Sequence, residues 1–104
     1  MLSEDQVLRN IVRSLKQVYD PEIPVNIYDL GLIYNIDLDK DYKATIKMTL
    51  TAPGCPVADE LIEQVNDAVM DAPGVTDAEI NLVFEPEWDK DMMSEEAKLE
   101  LGFL

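Results

Sequence analysis

The sequence predicts an α+β fold: a two-layer sandwich ordered helix-strand-strand-helix-strand. It has a small mixed sheet, both helices on one face, and a C-terminal tail with a short helix. Three observations carry this expectation. Apolar residues recur at helical spacing over 7–19 and again over 57–72. They alternate with polar residues over 32–38, 44–50 and 78–84. Turn-forming residues, "DKDY" and Pro73-Gly74, separate these stretches.

The first helix opens at Ser3, which with Gln6 matches a capping box, and Leu2 with Val7 fits a hydrophobic staple. Val7, Leu8, Ile11, Val12, Leu15, Val18 and Tyr19 then form one apolar stripe. Pro21 biases Asp20 away from the helical region, so the spacing predicts an end near Tyr19. In the hairpin, Leu32, Tyr34, Ile36 and Leu38 share one face, as do Ala44, Ile46, Met48 and Leu50. Asn35, Asp37, Lys43, Thr45, Lys47 and Thr49 take the opposite sides. A second helix follows Pro56 with Val57, Leu61, Val65, Ala68, Val69 and Ala72 inward, and Pro73-Gly74 ends it. The last strand places Ala78, Ile80, Leu82 and Phe84 on one face. In the tail, Ser94 is placed to cap a short helix, and Trp88, Met92 and Met93 are placed to cover the open sheet edge.

One sheet face is apolar and the other mostly polar, which puts both helices on the same side. The helical crossover makes the third strand run with the second, leaving its neighbour in the sheet open. A chain of 104 residues supports one domain, read as 1–104 with the tail at 86–104.

Eight basic and 22 acidic residues give a formal charge of −14. A field of that sign repels phosphate backbones and anionic lipid surfaces, so neither nucleic acid nor a membrane is an expected partner. No run approaches the roughly 20 apolar residues of a membrane helix. "MLSEDQVLRN" has neither the basic nor the apolar part of a secretory signal. A single cysteine forms no internal disulfide. Together these predict a cytoplasmic protein.

That cysteine, Cys55, stands in "TAPGCPVADE" between Gly54 and Pro56. Proline suits the first turn of a helix, so Cys55 falls at or beside the N-cap. Free amides and the positive end of the helix dipole favour a thiolate there. Asp59 and Glu60 oppose that effect, and a buried, inert thiol is the competing reading. The chain has no histidine, which removes a Cys-His hydrolase mechanism. One thiolate does not make a closed zinc or iron–sulfur site. What remains is a single sulfur ligand assisted by carboxylates, by a second copy of the chain, or by a client protein.

"DPEIPVNIYDLGLIY", residues 20–34, joins the first helix to the first strand. Its prolines stiffen it, Ile23, Val25, Ile27 and Leu30 anchor it, and Gly31 supplies a positive φ. Asp20 and Asp29 are then held in place, either as site residues or as caps of local turns. This loop enters the first strand while "TAPGCP" leaves the second. In an antiparallel hairpin those ends adjoin, so Asp29, Thr51 and Cys55 are expected at one edge.

These segments, together with "INLVFEPEWDKDMMSEEAKLELG", resemble the PaaD-like, SufT-type family of metal–sulfur cluster biosynthesis proteins over nearly the whole chain. The family's D-P-E motif falls on Asp20 with Glu22 nearby, its D-L-G motif on Asp29, and its T-x-x-x-C-P motif on Thr51, Cys55 and Pro56. Trp88 and "MSEEAKLELG" match the C-terminal signature of stand-alone bacterial members. The extra cysteine-rich sequence of the phenylacetate-type members is missing, which favours the SUF-linked role. The resemblance implies a non-enzymatic accessory factor for assembling iron–sulfur clusters or delivering them to clients. Cys55 would be a transient ligand or contact, and Thr51, Asp20, Glu22 and Asp29 would complete the contact set. No cofactor would be held permanently, although iron or an iron–sulfur cluster would bind transiently. Assembly scaffolds and client apoproteins are the implied partners. A homodimer would add a second Cys55. The alternative is a metal-free adaptor within the assembly machinery or for an oxygenase complex.

Overall fold

The computed structural model describes residues 2–20, 23–51 and 58–102. The order is α1 (Glu4–Leu15), β1 (Ile33–Leu38), β2 (Lys43–Met48), α2 (Ala58–Asp71) and β3 (Asp77–Leu82). A single 3-10 turn (Lys90–Met92) and α3 (Glu95–Glu100) follow. The sheet runs β1-β2-β3, antiparallel between β1 and β2 and parallel between β2 and β3. The α+β sandwich with a small mixed sheet is therefore present, and β2 is the neighbour of β3 that periodicity left open.

α1 begins as its sequence requires. The Gln6 amide donates to Ser3 Oγ at 3.2 Å, and the Ser3 amide donates to Gln6 Oε1 at 2.8 Å. It ends at Leu15, capped by Lys16, which is four residues before the expected end at Tyr19. Chain pairing wins over helical periodicity there. The Val18 carbonyl accepts from the Ile27 amide at 2.9 Å, and Tyr19 pairs with Asn26 in an antiparallel bridge. Val18 still reaches the core, whereas Tyr19 is 56% exposed and does not belong to the buried stripe.

The hairpin turn forms at the expected residues. Asp39 Oδ1 accepts from the amides of Asp41 and Lys43, and Tyr42 sits at φ 65°. Register pairs Ile36 with Ile46 and Leu38 with Ala44, and continues from Ile46 to Ile80. These inward residues meet Val7, Ile11 and Leu15 of α1 and Leu61, Val65 and Val69 of α2 in one hydrophobic cluster. The Asn10 side-chain amide, on α1, donates to the Pro73 carbonyl at 3.0 Å, tying α1 to the turn after α2. Among the described residues, no helix is long and apolar enough to cross a membrane.

Three face assignments change at the strand ends: Tyr34, expected on the apolar face, lies outside the core cluster at a register shift between Ile33 and Asn35, and the other two are Thr49 and Phe84. Thr49, placed on the polar face by alternation, is only 1% exposed. β2 ends at Met48, the Thr49 amide donates to the Leu32 carbonyl, and Met48, Thr49 and Leu50 are all buried. Phe84 lies past the end of β3 and is 41% exposed rather than part of the core face.

Candidate functional site

β1 starts, and β2 and β3 finish, at one end of the sheet. The Thr49 amide donates to the Leu32 carbonyl at 2.9 Å, and the Val83 amide donates to the Met48 carbonyl at 2.8 Å. Thr51, the last described residue before α2, lies at this end.

The loop before β1 is held there by its own bonds. The Asp29 amide donates to Asn26 Oδ1, and Asn26 Nδ2 returns a bond to Asp29 Oδ2, both at 2.8 Å. The Leu30 amide donates to the Asn26 carbonyl, and Val25, Ile27 and Leu30 are buried. Gly31 takes φ 83°, as the sequence reading required, and a Cβ there would collide with the Met92 carbonyl. Asp20 is 9% exposed, and its Oδ1 accepts from the Ile23 amide at 3.0 Å. Both aspartates are thus engaged in local turns.

The C-terminal segment closes over the same end. Trp88 Nε1 donates to the Leu30 carbonyl at 2.7 Å, and the Tyr34 hydroxyl donates to the Pro86 carbonyl at 2.7 Å. The Ser94 amide donates to the Asp29 carbonyl at 2.7 Å, and Met93 is buried. A cavity of about 90 Å³ remains between β2 and this segment, lined by Thr49, Leu50, Thr51, Phe84, Glu87 and Trp88. It has room for a few waters. A second cavity of about 200 Å³ is lined by residues that include Tyr19, Asn26, Asp29, Glu96 and Glu100.

Thr51 and Asp29 therefore border the same end of the fold but line different cavities. Cys55, Pro56 and Glu22 lie outside the described residues, so the expected N-cap position of Cys55 does too. Thr49, Phe84 and Glu87 were not singled out from the sequence. The signal for Thr49 was its place at the end of the strand pattern, where alternation stops. Phe84 carried an alternating signal that placed it on the core face, but β3 stops at Leu82, and Glu87 carried no periodic signal. Among the described residues, no three cysteine, aspartate or glutamate side chains are grouped to hold a metal ion.

A family model described as "Iron-sulfur cluster assembly protein" matches residues 8–82. The chain belongs to that family. Its role is accordingly in iron–sulfur cluster assembly and maturation. The chain is 63% identical over 99 residues to the "Fe-S protein maturation auxiliary factor" of Porphyromonas gingivalis, covering 95% of this chain and 94% of that one. It is 44% identical to the Bacillus subtilis "Fe-S protein maturation auxiliary factor YitW", covering 95% and 97% of the two chains. The crystal structure of "Domain of Unknown Function DUF59" from Bacillus anthracis superposes with a TM-score of 0.88 at 36% identity, over 96% of this chain and 95% of that one.

Proposed function

We propose that this chain is a non-catalytic accessory factor that assists assembly of iron–sulfur clusters or their delivery to client apoproteins, with Cys55 as the transient contact. The observation that carries the reading is the family match over 8–82, which spans both the loop before β1 and the segment after Thr51. Thr51 lines the end cavity immediately before that segment. A hydroxyl there would donate toward a nearby sulfur and tune it. Asp20 and Asp29, already bonded within their turns, act by fixing the loop, and Glu22 follows Asp20 in the same loop. An incomplete donor set suits a factor that must release its cargo, since iron or a cluster is substrate here rather than a resident group.

The test is rescue of cluster-enzyme activity in a deletion strain. Cys55→Ser is expected to abolish rescue while circular dichroism and thermal unfolding stay as in the parent chain. Full rescue by that variant removes the thiol from the mechanism.

A second reading, a metal-free adaptor between assembly scaffolds and clients, is favoured by one observation. The carboxylates of Asp20 and Asp29 bond within their own loop. Anaerobic incubation with ferrous iron and sulfide separates the two readings. Bound iron and visible absorbance lost on Cys55→Ala support the transient contact. Neither signal, together with undiminished pull-down of assembly scaffolds by Cys55→Ala, supports the adaptor.

A further inference from the structure

The charge of this chain is distributed very unevenly. Fourteen consecutive residues, Gln6 to Tyr19, contain no acid, although the chain holds 22. Three of its eight basic residues, Arg9, Arg13 and Lys16, fall within that stretch at spacings of four and three. That spacing puts them along one side of α1. With Leu8 and Val12 they border a shallow groove of about 440 Å³. Neither arginine pairs with a carboxylate among the described residues, whereas Lys43 pairs with Glu79 at 4.0 Å. Lys16 Nζ lies 5.4 Å from the centroid of the Tyr28 ring. Asp5, in the first turn of α1, stands four residues before Arg9 on the same row, so the acid-free part of this face runs from Arg9 to Lys16.

The complementary chemistry is present on the same molecule. Leu99 on α3 is 68% exposed, the most exposed large apolar side chain among the described residues. Its helix carries Glu95, Glu96 and Glu100 against one base, Lys98, and Glu96 and Glu100 stand four apart on one side. An acidic helix with one bare leucine matches a basic groove with an apolar floor.

We infer that the α1 groove seats α3 of a second copy of this chain, with Leu99 over Leu8 and Val12, and Glu96 and Glu100 against Arg9 and Arg13. The net charge of −14 does not forbid this. At physiological ionic strength, charges further apart than about 8 Å are largely screened, so the local match governs the contact. One short helix on a shallow groove falls below the roughly 1,200–2,000 Å² of a stable interface. The association is therefore weak and reversible, and it weakens as salt is raised.

Sedimentation velocity across a wide range of protein concentration tests it. The sedimentation coefficient of the parent chain rises with concentration. The double variant Arg9→Glu/Arg13→Glu and, separately, Glu96→Arg/Glu100→Arg each lose about tenfold or more in association constant. Mixing the two variants in equal amounts restores association, because the reversed charges again face opposite signs. All four residues are exposed, and unchanged circular dichroism verifies that folding is intact. A parent chain that stays monomeric throughout overturns the inference, as does a mixture no stronger than its components. Neither result bears on Cys55, so the maturation reading stands or falls separately.

Discussion

The indole N–H of Trp88 donates to the Leu30 carbonyl at 2.7 Å, and through it the C-terminal segment holds the loop that precedes β1. The contact joins residues 58 apart in the chain. It leaves the ring of Trp88 as one wall of the cavity beside Thr51. Trp88→Phe keeps an aromatic wall but strands the Leu30 carbonyl. The expected loss of stability is about 1–2 kcal/mol, read as a lower urea midpoint at unchanged slope. Amide exchange should rise at Leu30, Gly31 and Leu32 while α2 stays protected.

Gly31 supplies a sharper test of the same closure. Its φ of 83° already disfavours any other residue, and a Cβ would meet the Met92 carbonyl. Gly31→Ala therefore carries backbone strain together with a steric collision, about 2–4 kcal/mol in all. Gly102 has nearly the same angle, φ 82°, with nothing among the described residues within 4 Å of its Cβ position. Gly102→Ala carries the backbone part alone, about 1–2 kcal/mol at most. Thermal unfolding of the two variants side by side isolates the steric part. Equal shifts would mean that the C-terminal segment does not pack on Gly31.

Elements with a strong repeating pattern were legible in the sequence. The start of the first helix at Ser3, the end of the second before Pro73-Gly74, the hairpin turn at Asp39–Tyr42 and the Ser94 cap appear where the residue types placed them. Legibility failed where long-range pairing overrides local pattern. Val18 and Tyr19 continue the helical spacing of α1, yet they are drawn out of it by Ile27 and Asn26. Thr49 continues the strand alternation onto the polar face, yet it is buried beside the cavity that Phe84, Glu87 and Trp88 wall. The same limit applies to the candidate site. The adjacency of the loop and Thr51 follows from hairpin geometry. The wall of Phe84, Glu87 and Trp88 depends on where a tail without periodicity comes to rest.

Ser94 makes two bonds that act on different neighbours. Its hydroxyl accepts from the Ala97 amide at 3.1 Å, starting α3, while its own amide donates to the Asp29 carbonyl at 2.7 Å. Only the first is removed by Ser94→Ala, which should lose about 1 kcal/mol through the cap. Ser94→Asp keeps an acceptor at the same place and should recover most of that loss. If alanine and aspartate behave alike in chemical denaturation, the cap does not govern the stability of α3.

Asp29 separates a structural carboxylate from a chemical one. Its Oδ2 accepts from Asn26 Nδ2 at 2.8 Å, and an asparagine at 29 presents a carbonyl oxygen that accepts the same bond without the charge. Asp29→Asn should therefore hold the loop, change stability by less than about 1 kcal/mol, and rescue cluster-enzyme activity as the parent chain does. Asp29→Ala leaves the Asn26 amide without its acceptor, so stability should fall by about 1–2 kcal/mol and rescue should fall with it. A different pattern, in which Asp29→Asn folds normally yet fails to rescue, would show that the negative charge itself meets iron or a client. The carboxylate would then belong beside Cys55 as a donor rather than beneath it as a support.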